Sequence, residues 1–86
     1  MHESSLMIGL LKKITSIAVQ QKATKIISVG IKLGALSNIT ADHFREHFVE
    51  AAKDSIAEGA NLIIEESTDF MDQNAQDILV TEVEVA

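Results

Sequence analysis

Lys25-Ile26-Ile27-Ser28-Val29-Gly30-Ile31-Lys32-Leu33, closed by Gly34, is the stretch on which the architecture turns. Ile27, Val29, Ile31 and Leu33 alternate with Ser28, Gly30 and Lys32, a two-residue period that predicts a strand with one covered face. Its β-branched content agrees with that reading, and Gly34 breaks the pattern. Ser37-Asn38 then supplies a turn and Thr40 a helix cap.

The segments on either side change period. From Leu6 to Gln21 the residues Leu6, Met7, Leu10, Leu11, Ile14, Ile17 and Ala18 recur at three- and four-residue steps, which makes one apolar face of a helix. Lys12, Lys13 and Ser16 fall outside it, and Ser4 or Ser5 is placed to cap its first turn. A second helix is expected from Ala41 to about Glu58, with Phe44, Phe48, Ala51, Ala52 and Ile56 facing inward. Asp42 opposes the positive end of its dipole, and Gly59 offers a left-handed stop.

Asn61 to Glu66 reads as a second strand and Ile78 to Val85 as a third. In the third, Ile78 and Val80 share one phase and Val83 and Val85 the other, so a bulge near Thr81-Glu82 is required to return both pairs to the core. The order helix, strand, helix, strand, strand predicts an α+β domain spanning residues 1–86, with two helices packed on one face of a three-stranded mixed sheet. If the first two strands pair in parallel, the crossover through the second helix should be right-handed.

Composition narrows the function classes. A chain of 86 residues that is 47% apolar fits one small domain, near the lower limit for a self-sufficient core. Cysteine is absent, so neither a disulfide nor a thiolate zinc or iron-sulfur site can form within the chain. The formal charge of −6 argues against nucleic acid and anionic lipid as partners and in favour of proteins or cations. No apolar run is long enough for a bilayer, and the acidic start lacks a leader pattern, so a soluble cytoplasmic protein is expected. Tryptophan and tyrosine are missing, and Gly9, Gly30, Gly34 and Gly59 form no phosphate-binding pattern. Ser4, Ser5 and Ser37 have no histidine placed to activate them, so no catalytic residue is assigned and no enzyme is expected.

The chemistry-bearing stretch is Met1-His2-Glu3. A free α-amine, the backbone nitrogen of His2 and its imidazole can close two small chelate rings on one ion, and in-plane nitrogens suit Ni(II) or Cu(II). His43 and His47, four apart on the second predicted helix, have the spacing by which two imidazoles share a metal, although two solvent-facing surface histidines are the plainer reading. Glu65, Glu66, Asp69 and Asp72 read as a solvated acidic loop.

Met1-His2-Glu3-x-Ser5-Leu6-Met7, Ile31-Lys32-Leu33-Gly34-Ala35-Leu36-Ser37, Ile56-Ala57-Glu58-Gly59-Ala60 with Leu62, Ile64 and Glu65, and Val83-Glu84-Val85 occur in the order seen in the HypA/HybF family of hydrogenase nickel-incorporation proteins, which the chain resembles over nearly its whole length. The resemblance implies a nickel metallochaperone. Its Ni(II) would be held by the Met1 amine, His2 as principal ligand, and Glu3 through a backbone nitrogen or carboxylate. The ion would be delivered towards a [NiFe] hydrogenase precursor, or towards urease, with the nickel-handling GTPase of the pathway and the hydrogenase large subunit as implied partners.

The family normally carries a zinc-binding insertion with two CxxC-type pairs between the second and third strands. In this chain that place is taken by the cysteine-free loop 67–77, so no zinc site is expected. The loop is neither a Gly-Ser repeat nor an expression scar, which favours a naturally reduced relative over an engineered deletion. The alternative function is a paralogue without the zinc domain, acting as a regulatory or self-associating interaction module. The short loop before the last strand leaves strand exchange, and hence a homodimer, open.

Overall fold

In the computed structural model, which describes residues 3–86 and side chains from Ser5 onward, the expected strand is β1 (Ile26–Leu33), the centre of a sheet ordered β2-β1-β3. β2 (Asn61–Glu66) pairs with it in parallel, Val29 opposite Leu62 and Ile31 opposite Ile64. β3 (Ile78–Val85) pairs antiparallel along the other edge. Helices α1 (Glu3–Gln20) and α2 (Ala41–Ala52) complete the α+β layer pair.

The bulge required by the valine phases is present. Gly30 faces Glu82 but Ile31 faces Val80, so Thr81 is the extra residue, and Ile78, Val80, Val83 and Val85 all pack against the core. Gly30 is the counterpart of that bulge, since a Cβ there would lie 2.8 Å from Glu82 Cγ. On the same face Ser28 Oγ donates to Glu84 Oε1 at 3.2 Å.

A second irregularity overturns one expectation. Ile26 faces Val85 while Ser28 faces Glu84, so Ile27 is an unpaired extra residue of β1. It turns outward, 38% exposed, and Ile26 takes its place in the core. Alternation counted from Val29 fails at this step because a bulge on one strand has the same effect as shifting phase by one residue.

Both helices differ from expectation at their ends. α1 begins at Glu3, three residues before the apolar stripe starts, so Ser4 and Ser5 sit within its first turn rather than capping it. α2 stops at Ala52 instead of Glu58. Asp54 adopts a left-handed φ of 64°, and the Ser55 hydroxyl donates to Ala52 O and accepts from Ala57 N, which satisfies the helix end locally. The early stop leaves Ala51 exposed, while Ala57 is buried and Ile56 O accepts from Ile26 N. Gly59 does take its left-handed conformation, at φ 78°, in the turn before β2.

The core is built from Met7, Ile14 and Ala18 of α1, Phe44, Phe48 and Ala52 of α2, and Ile26, Val29, Ile31 and Leu33 of β1. Phe44 and Phe48 stack with centroids 6.2 Å apart. Thr40 caps α2 as expected, its hydroxyl accepting from His43 N at 3.2 Å.

Loop 67–77 is tied to the sheet end at three points: Ser67 N donates to Leu33 O, Gly34 N to Asp77 O, and Leu36 N to Ala75 O. Ala75 is buried beneath it. A Cβ at Gly34 would collide with the Ala75 carbonyl, whereas one at Gly9, inside α1, would meet nothing within 4 Å. Gly34→Ala should therefore cost about 1–3 kcal/mol, the usual cost of overpacking, and Gly9→Ala should stabilise by about 0.5–1 kcal/mol through helix propensity. Urea unfolding of the two variants checks the opposite signs. Thr40→Ala should cost about 1 kcal/mol, lowering Tm by about 4–8 °C in calorimetry.

Candidate metal centre

The topology sets the described N-terminal ends of both helices at one end of the sheet. α1 ends beside the start of β1, where Thr24 N bonds Ala86 O and Ala86 N bonds Lys25 O. Its N-terminal half lies over the opposite end, where Ser5, Leu6, Gly9 and Leu10 line a groove with Ile78, Leu79 and Val80. α2 starts at that same end, because Ala41 N donates to Glu66 Oε2 at 2.6 Å and Glu66 faces Leu33 at the close of β1. It finishes near the start of β1, as the Ile26–Ile56 hydrogen bond shows. The two helices therefore run side by side in the same direction, with their N-termini together.

His43 and His47 occupy successive turns of α2, with ring centroids 4.6 Å apart and planes inclined at 34°. Phe44 and Phe48 are one residue further along and fill the core, which fixes the rotation of the helix and puts the imidazoles on its flank. His43 faces solvent as expected. His47 differs: it is half-buried and lines a cleft of about 300 Å³ with Met7, Ile8, Leu11, Glu50 and Ala51. Sequence reasoning missed this contact, since it depends on the two helices running in parallel and no local pattern announces that.

Met1 and His2 lie outside the described residues, as does the Glu3 side chain; the Glu3 backbone is the first residue of α1. The acidic residues have structural work. Glu66 satisfies an α2 amide, Asp69 Oδ1 accepts from Met71 N at 3.0 Å, and Asp72 pairs with Lys32 at 3.7 Å while accepting from Asn74 N at 2.9 Å. Among the described residues no group of three or more His, Asp or Glu converges to hold a metal. No described helix is long and apolar enough to cross a membrane.

Comparison with known proteins places the chain. A family model described as "Hydrogenase/urease nickel incorporation, metallochaperone, hypA" matches residues 1–72. The hydrogenase maturation factor HypA of Chlorobaculum parvum is 32% identical over 77% of this chain and 58% of its own length. That of Synechococcus sp. is 37% identical over 76% of this chain and 58% of its own. The chain thus spans little more than half the length of the curated relatives it matches. The solution structure of the nickel metallochaperone HypA from Helicobacter pylori superposes with a TM-score of 0.81 at 18% identity, covering 99% of this chain and 97% of the other, which establishes a shared fold. With most of its length matched by the family model and curated relatives above 30% identity, this chain belongs to the HypA family.

Proposed function

We propose that this chain is a nickel metallochaperone that holds Ni(II) at its amino end, through the Met1 amine, the His2 imidazole and backbone nitrogens of His2 and Glu3, and delivers it for maturation of a [NiFe] hydrogenase or urease. The observation that carries this reading is the family match, which runs from residue 1 and so includes Met1-His2-Glu3. Imidazole and ionised amide nitrogens suit nickel better than they suit hard cations. A donor set on one chain end lets an acceptor replace nitrogens one at a time while the domain stays folded, which fits delivery rather than catalysis.

Its cargo would pass to protein partners of the same maturation pathway, the nickel-handling GTPase and the hydrogenase large subunit, in the cytoplasm. Residues 1–86 would act as a single nickel-binding domain, in which the tied-down loop 67–77 stands in place of the family's zinc module.

A second reading, a regulatory or self-associating module, is favoured by Phe70 and Met71, 62% and 91% exposed on that loop. Nickel binding separates the two. Calorimetric titration should show one tight site, lost in His2→Ala with the circular dichroism spectrum unchanged, and lost again when one residue is added ahead of Met1. Equal nickel affinity in His2→Ala would reject the metallochaperone site. Because the ligands bind deprotonated, the wild-type affinity should rise steeply from mildly acidic to mildly alkaline pH, and a flat pH profile of the same titration would contradict amine and amide ligation.

A further inference from the structure

We propose that the outer edge of β3, beneath the N-terminal half of α1, is a docking strip for an extended segment of a partner protein in which apolar and basic residues alternate. None of the candidate nickel ligands takes part.

The backbone of β3 dictates the strip. Asp77 O accepts from Gly34 N, and Ala86 bonds both Thr24 and Lys25, so the residues at either end of the strand turn these groups towards β1. Strand alternation then turns the N–H and C=O of Ile78 and Val80 the other way, to the outer edge. Leu33, opposite Ile78, agrees with this, because its carbonyl points to β2 and accepts from Ser67 N. Among the described residues nothing bonds the outward groups of Ile78 and Val80. The other edge of the sheet is partly closed, since Arg45 of α2 donates to Leu62 O at 3.4 Å.

The space beside that edge is shaped for a chain. Ile78, Leu79 and Val80 line a groove of about 380 Å³ in succession, and Leu6, Gly9 and Leu10 of α1 form its other wall. A strand edge facing a helix across an apolar groove lets an added strand gain main-chain hydrogen bonds while its alternate side chains fill pockets. Gly9 keeps the groove open: a Cβ there would meet nothing within 4 Å, although glycine weakens the helix. Beyond Val80 the bulge at Thr81 interrupts the outward ladder, so the paired run is short.

Charge selects the occupant. Glu82 and Glu84 stand on the open face of the sheet, over Gly30 and beside Ser28, and among the described residues no cation pairs with either. Lys13 lines the helix side of the groove. A segment with apolar residues towards α1 and Lys or Arg towards the open face therefore meets Glu82 and Glu84 and avoids Lys13. A second copy of β3 is a poor occupant, because antiparallel pairing of two such strands sets Glu82 and Glu84 against their counterparts on one face. The chain's formal charge of −6 adds to that repulsion.

The test uses the full isotope-labelled chain and an acetylated peptide alternating valine with lysine over eight residues, the length of β3. The peptide should shift the amide correlations of Ile78 and Val80 and of α1 from Leu6 to Lys13. It should also slow hydrogen exchange at Ile78 and Val80 while leaving Leu79, which faces β1, as it was. Replacing the peptide's lysines by glutamates should weaken binding by about tenfold, the sum of several cross-strand charge pairs. N-methylation of the peptide backbone should abolish binding. Gly9→Leu, which suits the helix but puts a side chain into the groove, should abolish it too with an unchanged circular dichroism spectrum. Absence of binding overturns the strip. So does lysine-peptide binding that survives either Gly9→Leu or N-methylation, which would be attraction to the acidic surface alone. A dimer in sedimentation that Gly9→Leu dissociates would overturn the occupant in favour of a second copy.

Discussion

Everything in this fold depends on β1 being paired along both edges. It is the only strand of the described sheet with two neighbours, and it supplies four of the fully buried apolar side chains, Ile26, Val29, Ile31 and Leu33. A parallel partner on one side demands a crossover, which is α2, and an antiparallel partner on the other returns the chain end to the start of β1. Those two demands fix where both helices begin. Their N-termini share one end of the sheet because β1 sends the chain into α2 there and β3 starts there beneath α1.

Much of this could be read from residue order. The alternation in β1, the stripe through Met7, Ile14 and Ala18, and the Phe44-Phe48 spacing each have one interpretation in a chain with a single small core. The bulge at Thr81 was legible because two valines and their predecessors occupy incompatible phases, and only an extra residue reconciles them. The bulge at Ile27 was not, because an isoleucine suits either face and Ile26 and Ile27 are interchangeable in composition. The early end of α2 was equally hidden: the stretch from Lys53 to Glu58 continues a helical pattern, and what stops it is a short hydrogen-bonded turn at Ser55 that lets Ile56 bond β1.

Of the candidate donors, the residue types were legible and the arrangement was not. Met1-His2-Glu3 and the His43/His47 pair stand out by residue chemistry, yet forty residues separate them and nothing local links them. Among the described residues, topology sets the two helices side by side, and the cleft between them contains His47. The acidic residues show the converse. A cluster in sequence disperses into a helix-end contact by Glu66, a loop turn at Asp69 and an ion pair of Asp72 with Lys32, so the negative charge of these three residues is structural first. Loop 67–77 is likewise bound back to the sheet rather than trailing from it, which keeps the two flanking strands in register.

The central claim is that the amino end of this HypA-family chain wraps nickel with backbone nitrogens and the His2 imidazole. Amide correlation NMR of the isotope-labelled protein, recorded before and after one equivalent of Ni(II), tests it most directly. Metal binding by ionised backbone nitrogens removes the amide protons, so the His2 and Glu3 correlations should vanish while those of β1 and the Phe44-Phe48 core stay in place. Survival of both correlations, with changes confined instead to Glu65–Asp77 or spread over the surface, would contradict the account.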